Sequence, residues 1–258
     1  MSLLDALLAP APDPARVAWL KDWTYAHRGL HSGATIENSM SAFAAAIAAG
    51  MGIECDVQVS GDGRAMVFHD WELDRLTAER GPVADRSAEQ LAQIPLGEGK
   101  DRIPILRDLL GLVRGRVPLL IEIKSKKGRA PVPLCLAVKR ELEGYRGHVA
   151  VMSFDPRVGA WFRTYAPGIV RGLVVTEENA RTLTGAFRRQ QSVRLAKPDF
   201  LAYDIRDLPS SFAAAQRSRG LPLLSWTVRS GTLLERAREH ADAPIVEGDG
   251  VALEPYEQ

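Results

Sequence analysis

From Val117 to Val246 the chain alternates short, dense apolar runs with longer stretches of helical character. The runs are Val117–Ile123, Val149–Met152, Ile169–Val175, Phe200–Tyr203, Pro222–Thr227 and Pro244–Val246. Between them helices are expected over Leu134–Leu142, Pro156–Tyr165, Glu178–Gln190, Ser211–Arg219 and Thr232–Glu239. Strands apolar on both faces belong in a sheet covered on both sides, and strand–helix alternation builds parallel sheets. Upstream, Trp23–Ala26 and Gly52–Val59 add two strands. Between them Ser39 caps an Ala-rich helix that runs to Ala49 and stops at Gly50.

The count depends on one turn. Ser60-Gly61-Asp62-Gly63 is a hairpin signal, so Ala65–Phe68 returns antiparallel to Gly52–Val59. A parallel crossover needs a dozen or more residues, so this strand is not the next barrel strand. Eight parallel strands remain, and a (β/α)8 TIM barrel of ~250 residues fits the 258 residues of this chain. The rival, an open doubly wound sheet, would want a Gly-rich dinucleotide fingerprint after the first strand, and none follows it. We expect one barrel domain over residues 1–258, with an N-terminal extension over 1–22 and a β-hairpin extension after the second strand. Residues 71–103 are read as a loop region over one face, with a short helix around Ala88–Ile94, and Pro104–Val113 as a helix.

A formal net charge of +1 gives no electrostatic case for nucleic acid or an anionic membrane, so anion recognition must come from local clusters. The two cysteines, Cys55 and Cys135, make no disulfide framework and suit a reducing compartment. The apolar start Leu3-Leu4-Asp5-Ala6-Leu7-Leu8 lacks a basic flank and is broken by prolines, so no signal peptide is expected. No uncharged run approaches the ~18 residues of a membrane span. A cytoplasmic protein is expected.

Four polar clusters sit at strand ends: His27-Arg28-Gly29, Glu54-Cys55-Asp56, His69-Asp70 and Glu122-Ile123-Lys124. Strand alternation puts Glu54 and Asp56 on one face and Cys55 on the other, and it aligns Glu122 with Lys124. Three carboxylates buried together repel one another and resist desolvation. A hard divalent cation would resolve that cost, and carboxylates without a thiol suit Mg²⁺ or Ca²⁺ rather than Zn²⁺. Glu54, Asp56 and Glu122 are therefore the candidate metal ligands. His27 and His69 are candidate proton carriers, while Arg28 and Lys124 can hold a phosphate. Trp226 closes its strand and either walls a substrate pocket or packs in the core. His31, His148 and His240 are read as bystanders, and the basic run from Lys124 to Arg129 as a solvated loop with only Lys124 turned inward.

In order and spacing these clusters resemble the glycerophosphodiester phosphodiesterases. The likeness runs from His27-Arg28-Gly29 through Glu37-Asn38-Ser39, Glu54-x-Asp56-Val57, the Gly61-Asp62-Gly63 hairpin and His69-Asp70. It continues through Ile121-Glu122-Ile123-Lys124, Ser153-Phe154 and Ser225-Trp226-Thr227-Val228. The resemblance spans roughly residues 23–250 and implies a phospholipase-C-like barrel that hydrolyses glycerophosphodiesters to glycerol 3-phosphate and an alcohol. It further implies His27 and His69 as the acid–base pair, Arg28 and Lys124 on the phosphate, and Glu54, Asp56 and Glu122 on the metal. At two places the chain departs from the family. The inserted subdomain is reduced to about Trp71–Arg102, and the last strand ends in Glu247-Gly248-Asp249-Gly250 where the family often has Thr-Asp. That ending is read here as standing outside the catalytic set. Competing readings are a lysophospholipase D or sphingomyelinase-D-like enzyme acting on lipids, and a silent barrel that only binds phosphate esters.

Overall fold

A computed structural model describes residues 11–126 and 128–251. The first two residues of the barrel, Tyr25–Ala26 (β1), pair in parallel with Gly52–Val59 (β2) and with Ala243–Val246 (β9). Between β2 and β9 the sheet runs through Leu119–Ile123 (β4), Val149–Ser153 (β5), Val170–Val175 (β6), Phe200–Asp204 (β7) and Leu223–Val228 (β8), all parallel. The β1–β2 pairing closes the ring into an eight-stranded barrel. Ala65–Val67 (β3) pairs antiparallel with β2, with Val57 opposite Val67, as the hairpin turn requires. Residues 1–10 of the expected N-terminal extension lie outside the described residues.

Alternation sorts the strand residues into two cores. Ile53, Cys55, Val57, Leu119, Ile121, Ile123, Val151 and Leu201 point outward and pack under the helices. Tyr25, Leu120, Ala150, Met152, Val170, Phe200, Leu224 and Ile245 fill the barrel interior. Interior layers must fit large rings beside small residues. A Cβ on Gly172 would lie 2.3 Å from the Phe200 ring, and one on Gly52 would lie 2.6 Å from Tyr25. Gly172→Ala is therefore expected to lower the urea midpoint, costing about 1–3 kcal/mol by overpacking. A midpoint equal to wild type would show that Phe200 has room to move.

The helices follow their caps. Met40–Ala48 (α2) begins where the Ser39 hydroxyl accepts from Ala42 N at 3.1 Å, as expected from sequence. Leu106–Val113 (α4) starts two residues later than the sequence suggests, because Pro104 O accepts from Val67 N and extends the sheet edge. Val132–Leu142 (α5) and Pro156–Tyr165 (α6) match expectation closely. Leu183–Ala196 (α7) is displaced C-terminally from the expected Glu178–Gln190. Thr182 supplies its cap, and the residues before it are held instead by Asp207, which accepts from Thr176 and Glu177 N. Ser211–Ser218 (α8) and Gly231–His240 (α9) complete the outer layer.

Two segments carry more structure than sequence periodicity shows. Pro14–Val17 (α1) and the following 3-10 turn, Ala18–Lys21, place Val17, Trp19 and Leu20 against the barrel floor. There Trp19 stacks on His148 at 5.0 Å, which gives that histidine a structural role. The region 71–103 is not a bare loop. Leu73, Val83, Leu91, Leu96 and Ile103 form a small core of their own with Met66 and Phe68 of the hairpin, and Ala88–Leu91 (α3) opens with a Ser87–Gln90 capping box. Among the described residues no helix is long and apolar enough to cross a membrane.

Candidate active site

The C-terminal ends of β1, β2 and β4 meet at one mouth of the barrel. Register sets Asp56 directly beside Glu122, and Glu54 stands one inward position deeper on β2. One carboxylate oxygen from each of Glu54, Asp56 and Glu122 lies within 4.8 Å of the other two. Glu54 and Asp56 are each 1% exposed. Cys55, between them, packs outward with the aliphatic core. The three proposed ligands are thus brought together as alternation requires.

Two cations meet this cluster. Lys124 Nζ lies 2.9 Å from Glu122 Oε1 and 3.3 Å from Asp56 Oδ1. Arg28 Nε lies 3.0 Å from Asp56 Oδ2, and its backbone N donates to Glu54 at 3.0 Å. Burial opposes ionisation of Asp56, but Lys124 and Arg28 outweigh it and hold its carboxyl well below the usual range. Glu54 has less help. Burial, then the charges of Asp56 and Glu122, push it well above its ordinary value, and burial raises Glu122 as well. A buried carboxylate driven toward its neutral form by two acidic neighbours is a site short of positive charge. The all-oxygen donor set fits a hard divalent cation.

Local backbone builds this geometry. Arg28 takes φ 56° and Gly29 φ 80°, so the chain turns sharply off β1. A Cβ on Gly29 would sit 2.9 Å from the Ala42 backbone, so the helix start and the turn close against each other only through glycine. Asn38, at φ 57°, donates to Asp56 Oδ2 at 3.0 Å while Asp56 N donates back to Asn38 Oδ1 at 3.2 Å. A non-glycine residue held in the left-handed region by such a reciprocal pair is a constraint characteristic of functional sites.

The two histidines both act electrostatically on Asp56 and share one design. His27 Nδ1 lies 2.8 Å from Glu247 Oε2, with Nε2 4.0 Å from Glu54 Oε2. His69 Nδ1 lies 2.7 Å from Asp70 Oδ1. Each ring has a carboxylate at Nδ1, which fixes its orientation and leaves Nε2 as the other ring nitrogen. Burial pushes His27 below its ordinary value, against the opposing hydrogen bond to Glu247. The Gln58 side-chain amide holds the hairpin end by donating to the carbonyls of His69 and Asp70.

The structure corrects the sequence reading of the last strand. Ile245 faces inward and Val246 outward, so Glu247 faces inward onto His27; it does not stand outside the candidate catalytic set. Its hydrogen bond with His27, with Arg229 at 2.9 Å, keeps its carboxyl at about 2. His31, read as a bystander, lies 3.9 Å from the same carboxylate. Glu37 and Arg75 were also missed. Glu37 accepts from Arg28 at 2.7 Å and from Arg75, and Arg75 in turn holds Asp70. Glu37 and Glu247 were readable in principle, from a charged neighbour of a cap and from strand alternation. Arg75 lies in a segment without periodicity and had no local signal. Trp226 is half-buried at the top of the interior, donates Nε1–H to Ala202 O at 2.9 Å and meets Phe154 edge-to-face at 5.4 Å.

A sequence profile of the glycerophosphoryl diester phosphodiesterase family matches residues 27–246, from the first histidine to the end of β9. The chain belongs to that family. It is 36% identical over 155 residues to a glycerophosphodiester phosphodiesterase of Bacillus altitudinis, covering 56% of this chain and 63% of the relative. It is 38% identical over 167 residues to a glycerophosphodiester phosphodiesterase of Caldanaerobacter subterraneus subsp. tengcongensis, covering 60% of this chain and 67% of the relative. The first match therefore spans less than two thirds of its relative's length. A phosphodiesterase of Oleispira antarctica, solved with the product sn-glycerol 3-phosphate, superposes with a TM-score of 0.77 at 22% identity. That superposition covers 88% of this chain and 94% of the other, and it speaks for the shared barrel.

Within this family frame the contact between Glu247 and His27 can be tested by a single substitution. Glu247→Gln keeps the shape and removes the charge facing His27, and a loss of about 10–100-fold in kcat is expected. Steady-state kinetics at several pH values checks it. An unchanged rate and pH profile would leave Glu247 without a part in orienting His27.

Proposed function

We propose that this protein hydrolyses glycerophosphodiesters to glycerol 3-phosphate and an alcohol, as a metal-dependent phosphodiesterase with two-histidine acid–base catalysis. The observation that carries the reading is the convergence, at one barrel mouth, of two carboxylate-oriented histidines on a buried three-carboxylate cluster flanked by Arg28 and Lys124. The names of the relatives and the glycerol 3-phosphate bound to the Oleispira protein support the choice of substrate class.

Glu54, Asp56 and Glu122 would hold one Mg²⁺ or Ca²⁺, which when bound withdraws charge from the phosphoryl oxygens as a Lewis acid. Arg28 and Lys124 hold the same oxygens with a planar fork and a point charge. The glycerol moiety carries its own hydroxyl beside the phosphorus, so no protein nucleophile is required. One histidine takes the proton of that hydroxyl as its oxygen bonds to phosphorus, and the other gives a proton to the departing alkoxide. Water then opens the resulting cyclic phosphate with the histidine roles exchanged, leaving glycerol 3-phosphate. The whole chain is read as one barrel domain with 71–103 as its reduced insertion. Cys55 and Cys135, free and buried, fit a reducing, cytoplasmic setting.

One feature favours lysophospholipids as a second reading. Trp71 and Phe154 are 38% and 46% exposed near the mouth, an aromatic rim that a lipid substrate could use. A coupled assay for glycerol 3-phosphate, run on several glycerophosphodiesters beside a lysophosphatidylcholine assay that detects choline, separates the two. Glycerol 3-phosphate release is the expected result. Choline release from the lysolipid alone would favour the second reading, and no product from either substrate class would overturn both.

A further inference from the structure

A groove of about 360 Å³ opens beside the carboxylate cluster, between the 71–103 segment and the loop after β4. Its walls include Gln58, Trp71, Asp85, Lys124, Lys126 and Arg129. Two of these connect it to the chemistry. Lys124 Nζ stands on Asp56 and Glu122, and Gln58 holds the backbone carbonyl of His69 at 3.0 Å. Lys124 is therefore common to the groove and to the carboxylate cluster. The volume suits a polar headgroup of small-molecule size.

The charges on the walls are unequal. Lys126 and Arg129 are exposed cations, whereas Asp85 is the one carboxylate among the described lining residues. Trp71 would ordinarily offer a face to a quaternary ammonium. Here Lys126 Nζ already lies over that face, 5.6 Å from the ring centroid, so a second cation would meet a like charge. The sequence reading treated this basic run as a solvated loop; its contact with Trp71 makes it one wall of a groove.

We infer that this groove seats the leaving alcohol and selects alcohols bearing an anionic group, a second phosphate or a carboxylate, over quaternary ammonium alcohols. The inference rests on the phosphodiesterase reading above and adds the substrate class to it. Its test compares kcat/KM for three glycerophosphodiesters at low salt: an inositol phosphate ester, a glycerol ester and a choline ester. The anionic ester is expected to exceed the choline ester by about tenfold, as two exposed charge contacts allow. The ratio should shrink toward one in about 0.5 M salt, where exposed charges are screened. It should also shrink or invert in a K126E/R129E double variant. The salt arm uses the wild-type chain and so does not depend on the variant folding. Equal rates for the anionic and choline esters, a preference for choline, or a ratio indifferent to salt and to charge reversal would overturn the inference while leaving the phosphodiesterase reading intact. No turnover of any of the three would overturn both.

Discussion

Alanine at His27 or at His69 is expected to lower kcat by about 10²–10⁴-fold, the range a positioned proton carrier contributes. The fold should survive in both cases. His69 is half-buried just past the hairpin strand, with its Nδ1 side already taken by Asp70, and Asp70 retains Arg75 when the ring is lost. Removing the His27 ring leaves Glu247 still paired with Arg229 at 2.9 Å. Circular dichroism and the urea midpoint separate loss of catalysis from loss of structure. A wild-type rate in either variant would end the two-histidine mechanism.

Chelation is expected to have an effect of the same order. Among the described residues the cations in contact with the three carboxylates are Lys124 and Arg28, and burial and its acidic neighbours drive Glu54 toward its neutral form. EDTA should therefore abolish turnover and Mg²⁺ or Ca²⁺ should restore it. Binding need not be read through activity. Either ion alone should raise the melting temperature of the chelated protein, since a ligand that binds only the native state stabilises it. In Glu54→Gln the metal-dependent rise should vanish and turnover should fall by at least about 100-fold, in line with losing a bound Lewis acid. The same substitution should raise the melting temperature of the metal-free protein, because it removes a carboxyl that burial and its acidic neighbours make costly to hold at neutral pH whether ionised or protonated. Full activity in a verified metal-free sample would contradict the metal assignment.

Much of the barrel was readable because its strands obey a two-residue period and its turns use specific residues. Gly52–Val59 was delimited by a helix stop before it and a Gly-Asp-Gly turn after it, and its alternation alone put Glu54 and Asp56 on one face. Helix starts were readable where a single residue caps them, as at Ser39, and misread at α7, which was expected from Glu178 and is capped by Thr182. The 71–103 segment was underestimated because its apolar residues fall at irregular intervals and find one another only in three dimensions. Trp19 and Leu20 likewise gave no sign that they seal the barrel floor. In the site, the residues missed were mostly those that hold others. Glu37, Arg75 and Asp70 form an alternating chain of charges from Arg28 around to His69, and such a chain joins segments with no sequence spacing in common. Glu247 had the clearest signal. Extending strand alternation by one residue past Val246 would have found it.

In the proposed reaction this mouth cleaves the ester bond on the alcohol side of a glycerophosphodiester. Phosphorus NMR of glycerophosphoethanolamine with the Mg²⁺-loaded protein tests it most directly. The diester signal should be replaced by that of glycerol 3-phosphate, at a rate lost in His69→Ala. Phosphoethanolamine as the product, or glycerol 3-phosphate formed at an undiminished rate by His69→Ala, would contradict it.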